Sequence, residues 1–298
     1  MLLCGGKGTR MREETEFRPK PMVEVGDRPL LWHIMKLYAA HGFDDFVLCL
    51  GYRGQMITRY FAEYRLHGHD VTFDLGTGET TFQRGPADGW RVTCADTGRD
   101  SMTGARVKRV QPYLEDADLV LVSYGDGLAD IDLGRLVEFH RSHGRLATVT
   151  GVHAPARFGQ LVADGGWVRQ FAEKPLETGW INGGFFVFEP AVLDRLSPDP
   201  ACVLEHEPLE RLAAEGQLAV YHHAGYWQCA DTLRDVELLR RLWDSGEAPW
   251  RLWDDRREAA RPARGGRAGD WTVSPEAALR AARALPAAGD PAALWRAA

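Results

Sequence analysis

Residues 118–152 read DLVLVSYGDGLADIDLGRLVEFHRSHGRLATVTGV. DLVLVSYGD (118–126) is nearly continuous in apolar residues, rich in Val and Leu, and stops at Gly-Asp, the pattern of a strand buried on both faces. The following segment predicts a helix running to His143, then Gly144 as its stop, then a second strand. DFVLCLGY (45–52) is another buried-strand pattern. PLLWHIMKLYAAHG (29–42) is a helix pattern, with Pro29 at its first position, Leu30, Leu31, Ile34, Met35 and Tyr38 on one face, and Gly42 as its end. Repeated strand–helix–strand order argues for a doubly wound α/β fold, with a largely parallel sheet and helices on both faces. Beyond about residue 155 the pattern changes. WVRQFAEKP, INGGFFVFEP and QLAVYHH are strand-like and surround one helix near 207–215, so a mixed region is expected to extend the core and build more of a pocket.

Composition narrows the function. At 298 residues the chain is long enough for one large domain or a domain with an appendage. A formal net charge of −6 argues against a broad basic face for nucleic acid, so any anion site must be local. No apolar run is long enough to span a bilayer, and no basic segment leads into an apolar one as in an export signal. The five cysteines are an odd number, scattered, and form no Cys-x-x-Cys pair. Cys4 and Cys49 lie in apolar runs as small core residues, which fits a reducing cytoplasm. Residues 1–250 are expected to form the main domain. Residues 251–298, rich in Ala, Arg, Pro and Gly, are expected to be a linker and a short helix from Ser274.

Chemistry concentrates in short stretches. CGGKGTR (4–10) follows an apolar start. Glycines there let the backbone approach a ligand, and successive N–H groups can converge on an anion. Thr9 adds a hydroxyl, and Lys7, Arg10 and Arg12 add charge. The P-loop spacing is absent, and Gly6-Lys7-Gly8 meets Met11 where the dinucleotide fingerprint needs its last glycine. In FRPKPMVEVGDRPL (17–30), Lys20 stands between two prolines and is expected on a stiff, extended segment suited to reaching a phosphate. Asp126 lies just past the carboxyl end of a buried strand, where ligands bind in open α/β sheets and where Mg²⁺ finds a carboxylate. Glu173 and Lys174 stand together in FAEKP. Asn182, Gly183 and Gly184 offer an amide and an open backbone. Asp231 precedes an amphipathic helix and serves either as its N-cap or as a second metal carboxylate. The pairs His222–His223 and His67/His69 lack zinc spacing and are expected to be structural or surface residues. Neither a Gly-x-Ser-x-Gly elbow nor a His-Glu-x-x-His motif is present.

Taken in order, GGKGTR (5–10), PKPM (19–22), SMTGAR (101–106), YGDG (124–127), EKP (173–175), INGGFF (181–186) and WQCADT (227–232) resemble the sugar nucleotidyltransferases. The likeness covers roughly residues 1–250, and the runs 21–54, 96–110, 205–218 and 225–235 resemble especially the branch that acts on glucose 1-phosphate with CTP. The resemblance implies a Rossmann-like three-layer fold of the GT-A-like type. It implies transfer of a nucleoside monophosphate to a sugar 1-phosphate, with Mg²⁺ and release of pyrophosphate, in a cytoplasmic homo-oligomer.

Carried onto this chain, it implies that Gly5, Gly6, Gly8, Thr9 and Arg10 hold the triphosphate and that Lys20 lies near the reacting phosphates. Thr103, Gly104 and Tyr124 would lie against the nucleotide, and Asp126 and Asp231 would hold the metal. Lys174 would grip the sugar phosphate, and Glu173, Asn182 and Gly183 would face the sugar. The segment 63–75 would reach a neighbouring subunit. The family's opening strand usually runs a few residues longer, with a smaller residue at Cys4. Another base or acceptor is an alternative, as is a sensor that binds without turnover. A glycosyltransferase is disfavoured, because Asp126-Gly127-Leu128 does not repeat the carboxylate.

Overall fold

A computed structural model describes residues 1–67, 70–82, 88–154, 160–172 and 179–253. The main sheet comprises β1 (Leu2–Leu3), β2 (Asp45–Leu50), β3 (Arg91–Asp96), β4 (Val120–Tyr124), β5 (Ala147–Val152), β6 (Ile181–Asn182), β7 (Phe186–Phe188) and β8 (Leu218–His223). Strands β1, β2, β3 and β4 pair in parallel, as do β5 and β8, while β7 runs antiparallel to both β4 and β5. The sheet is therefore mixed and mostly parallel, as the strand–helix alternation predicts.

The chain leaves β1 toward β2 and β3 on one side, then returns to place β4 on the other. That reversal opens a crevice at the carboxyl ends of β1 and β4, the place where open α/β sheets bind ligands. Leu3 is in register with Tyr124, so the glycine-rich stretch and Asp126 leave the sheet side by side.

The main helices are α1 (Leu30–Ala40), α2 (Gly54–Ala62), α3 (Thr103–Arg109), α4 (Leu133–His143), α5 (Glu207–Ala214) and α6 (Leu233–Asp244). Strand alternation feeds two cores. Leu2, Phe46, Leu48 and Val187 face α1, α4 and α6, whereas Leu3, Val47, Val122 and Phe186 face α3 and α5. Helix α4 ends at Gly144 in the left-handed region, φ 64°, as the sequence indicates. Helix α1 begins one residue later than expected, with Pro29 as its extended N-cap.

Burial on α1 also reaches further round than one face, because His33 and Lys36 are covered. The cover is aromatic. Trp243 lies edge-on to His33 at 4.5 Å, and Trp250 and Trp253 pack beside it. The His33 ring is bonded at both nitrogens. Nε2 donates to the Val25 carbonyl at 2.9 Å, and Nδ1 accepts from the Trp250 indole N–H at 3.4 Å. This arrangement needs the neutral imidazole.

All five cysteines are free, with Cys4 and Cys49 buried as expected. Among the described residues no helix is long and apolar enough to cross a membrane. Residues 254–298, including the helix expected from Ser274, lie outside the described residues.

Burial pushes the His33 pKa down to about 4. Its contribution to stability is complete above the unfolded-state value near 6.5 and is lost as pH falls from there to about 4, a cost of roughly 3 kcal/mol. Urea unfolding at pH 7 and pH 4.5 should show a smaller acid loss for His33→Gln than for the native chain. Equal losses would contradict this account.

Candidate active site

The glycine-rich stretch is a turn built on close approach. Gly8 has φ +60°, and the next residues tighten into a 3₁₀ turn, Thr9–Met11. Thr15 locks the turn by donating its hydroxyl to the carbonyls of Gly8 at 2.9 Å and Met11 at 2.7 Å. Among the described residues, the N–H groups of Gly5, Gly6, Lys7 and Gly8 meet no acceptor. Successive N–H groups of this kind can converge on an anion. Gly5, Gly6, Gly8 and Thr9 line a cavity of about 290 Å³ that also takes in Lys20, Thr103, Tyr124, Asp126 and Asp231. The side chain of Arg10 lies outside the described residues.

Beneath the turn lies Arg106, which the motif SMTGAR contains but to which sequence reasoning gave no role. It is 3% exposed, yet its guanidinium meets no carboxylate among the described residues. Nη1 donates to the Leu50 carbonyl, the Thr97 hydroxyl and the Gly98 carbonyl at 2.8–2.9 Å. Nη2 donates to the carbonyls of Gly5 at 3.0 Å and Arg99 at 3.3 Å. A Cβ on Gly5 would fall 2.1 Å from Nη1, so this glycine is required by the arginine under it. Carbonyl dipoles solvate the charge without cancelling it, leaving the floor of the cavity positive.

Lys20, Asp126 and Asp231 line the same cavity, with the stem of Lys20 beside Gly8 of the turn. Lys20 is 9% exposed and opens a 3₁₀ turn, Lys20–Met22. This corrects the extended segment expected from its flanking prolines. Pro19 before it and Val23 after it are extended, and bonds from Met22 N–H to Pro19 and from Val23 N–H to Lys20 close the turn between them. Asp126 leaves β4, and Asp231 follows the strand Trp227–Cys229, which pairs with Gly127–Ala129. A bond from the Ala230 N–H to the Asp126 carbonyl, 2.9 Å, draws the two carboxylates together.

Asp231 does not cap α6. Thr232 does, in a capping box with Asp235, which leaves the Asp231 carboxylate to the cavity. Lys20 Nζ lies 2.6 Å from Asp126 Oδ2 and 2.5 Å from Asp231 Oδ1. Burial works to lower the lysine's pKa, but the charge of Asp126 and hydrogen bonds to both carboxylates outweigh it and raise the pKa. The side chain therefore stays an ammonium.

Asp126, Asp231 and Cys229 each place a ligand atom within 4.8 Å of the others. The carboxylate pair suits a hard divalent cation such as Mg²⁺, which takes one or two carboxylates and completes its shell with phosphate and water oxygens. The ammonium already seated there shows that the pair accommodates positive charge.

Other expected residues are distributed differently. Thr103 and Tyr124 line the cavity; Gly104 does not. A Cβ on Gly104 would meet Cys202 and Leu204, so this glycine lets α3 pack on the 202–205 segment. Asn182 and Gly183 also lie off the cavity wall. Asn182 reaches it through Tyr124, donating from Nδ2 to the phenol oxygen at 3.1 Å, and Gly183 packs on Val152. Glu173, Lys174 and His69 lie outside the described residues, as does the side chain of His67. His222 stacks on Trp180 and His223 pairs with Asp130 at 2.9 Å, both structural roles as expected.

Sequence reasoning also missed Glu205. Its carboxylate accepts from the Thr103 hydroxyl and the Tyr124 hydroxyl, each at 2.5 Å. Burial, reinforced by Glu205, pushes the Tyr124 pKa up, so the phenol keeps its proton. Glu205 sits 102 residues from Thr103 in sequence, and no local pattern announces the contact.

A switch-point crevice with a glycine-rich turn and a cation between two carboxylates is the kind of site found in α/β enzymes that handle phosphates. The nucleotidyl transferase family matches residues 1–236, and the chain belongs to that family. It is 49% identical over 255 residues to glucose-1-phosphate cytidylyltransferase of Salmonella typhi, covering 85% of this chain and 99% of that one. It is 42% identical over 253 residues to the probable glucose-1-phosphate cytidylyltransferase of Bacillus subtilis, covering 85% and 99%. The fold is similar to that of a putative glucose-1-phosphate thymidylyltransferase from Bacillus anthracis, with a TM-score of 0.59 and 17% identity over 85% of this chain and 96% of that one.

Arg106→Met should orphan several buried carbonyls at once and cost at least about 3 kcal/mol. Gly5→Ala should lose about 1–3 kcal/mol by crowding the same guanidinium. Urea denaturation of both variants measures this; near-native midpoints would rule out the solvated-arginine floor.

Proposed function

We propose that the protein transfers CMP from CTP to a sugar 1-phosphate, α-D-glucose 1-phosphate above all, yielding CDP-glucose and pyrophosphate. One observation carries the reading: the backbone donors of the glycine-rich turn, the buried cation beneath it and a lysine held between two carboxylates share a single cavity. The names of the two curated relatives support the choice of CTP and glucose 1-phosphate.

The chemistry asks little of side-chain nucleophiles. A phosphate oxygen of the sugar 1-phosphate attacks the α-phosphorus of CTP, and the bond to the bridging oxygen breaks as pyrophosphate departs. The attacking oxygen is already anionic, so no base is needed. The work is to bring two anions into line and offset their charge. In this reading the Gly5–Thr9 turn and the Arg106 floor receive the triphosphate, and Lys20 holds its proton as a fixed cation beside the reacting phosphates. Asp126 and Asp231 hold Mg²⁺, which supplies further charge neutralisation when bound. Glu173 and Lys174 serve the sugar phosphate.

Five free thiols support a reducing compartment, the cytoplasm. The hairpin Val71–Phe73/Thr80–Phe82 exposes Phe73, and Leu75 at its tip is 94% exposed. This supports assembly with further copies of the chain through segment 63–75, which a monomer in light scattering would refute.

Pyrophosphate release with Mg²⁺, crossing five nucleoside triphosphates with a panel of sugar 1-phosphates, tests the reading. Turnover should appear with CTP and glucose 1-phosphate; silence across the panel would overturn it. Asp126→Asn should lower kcat by at least about 100-fold and leave the melting transition in place. Retained turnover in that variant would remove the metal assignment.

A further inference from the structure

Thr103 and Tyr124 on the cavity wall, and Glu205 and Asn182 behind them, have their proton positions set by one hydrogen-bond network. The Gly184 N–H donates to Asn182 Oδ1 at 2.9 Å, which fixes the amide's orientation and turns Nδ2 toward Tyr124. The Tyr124 oxygen therefore accepts from Asn182 and directs its own proton to Glu205 Oε1. From the other end, the Leu204 N–H donates to Thr103 Oγ1 at 2.9 Å, and the Thr103 proton goes to Glu205 Oε2. Two backbone donors and one carboxylate, an acceptor on both oxygens, leave a single consistent arrangement.

The consequence is a polarity. Thr103 and Tyr124 have each spent their only proton behind the wall and one lone pair beside it. Toward the cavity each has one lone pair left. Such a surface takes a ligand hydroxyl or amine and repels a phosphate, whose oxygens are acceptors. Elsewhere the same cavity has the reverse character, with the N–H groups of the glycine-rich turn and the guanidinium of Arg106, one helical turn on from Thr103.

The 200–205 segment is held in place for this task. Met102 N–H donates to the Pro200 carbonyl at 2.8 Å, and Ala105 N–H donates to the Cys202 carbonyl at 3.1 Å. Gly104 allows the close approach between them.

Resting on the nucleotidyltransferase reading above, we infer that Glu205 is a positioning residue that orients the Thr103 and Tyr124 hydroxyls to receive a hydroxyl of the sugar, and so decides which end of the nucleotide sugar lies on that wall. The sugar is the partner chosen because the network runs from Tyr124 to Asn182. That path leads along the sheet from β4 to β6, away from the glycine-rich turn on β1.

The test compares calorimetric binding of CDP-glucose and of CDP by the full chain. Glu205→Gln puts an amide N–H against one of the two hydroxyls and forces it to reverse. CDP-glucose should bind about tenfold more weakly while CDP stays within about twofold. Tyr124→Phe should show the same split, and Glu205→Asp should recover part of the loss. Equal weakening of both ligands would place the wall on the nucleoside and overturn the assignment. Unchanged affinities, or a lower melting temperature with no split, would reduce Glu205 to a structural residue. Absence of CDP-glucose binding by the native chain would overturn it too. Pyrophosphate release is measured in parallel: silent turnover with the binding split intact would sink the cytidylyl-transfer reading and leave Glu205 standing.

Discussion

The buried guanidinium of Arg106 is the constraint around which the site is arranged. It stands on α3 and bonds to chain segments at the carboxyl ends of β1, β2 and β3: Gly5, Leu50, and the run Thr97–Arg99. An isolated buried charge is costly unless its donors are met. Here backbone carbonyls and one hydroxyl meet them, so folding α3 onto the sheet also closes the crevice edge. The demand is mutual, because Gly5 and Gly51 both lack the Cβ that would strike the guanidinium. Stability and function share the one contact: the charge that ties the strand ends together also underlies the turn that faces the anion.

Around that floor the cavity divides by hydrogen-bond character. One side offers N–H groups. A second offers an ammonium between two carboxylates. The third offers oxygen lone pairs held by Glu205. A phosphorylated sugar and a nucleoside triphosphate are themselves divided into anionic and hydroxyl-bearing parts. The proposed transfer consists of positioning and charge neutralisation, for which such a pattern suffices without a reactive side chain.

The expectations that depended on local rules were met where local physics has few competitors. Buried strands 45–50 and 120–124 and the stop of α4 at Gly144 follow from apolar runs and glycine placement. Lys20 departed from its local preference because two i to i+3 hydrogen bonds and a pair of carboxylates outweigh the bias set by Pro21. Asp231 was open between two roles in the sequence, and the choice fell to Thr232, whose hydroxyl and partner Asp235 complete a capping box. Gly104 was expected at the ligand and instead serves packing, since its missing Cβ is read by the 202–204 segment.

By itself the sequence determined the layered α/β architecture, the glycine-rich turn and the candidate carboxylates, because strand period, glycine spacing and position after a strand are short-range properties. Only the tertiary structure decided that Lys20 joins Asp126 to Asp231, that Arg106 underlies Gly5, and that Glu205 sets the proton order of Thr103 and Tyr124. Each of these contacts closes a gap of at least 81 residues, and at that separation partners are selected by which strand ends the sheet brings together.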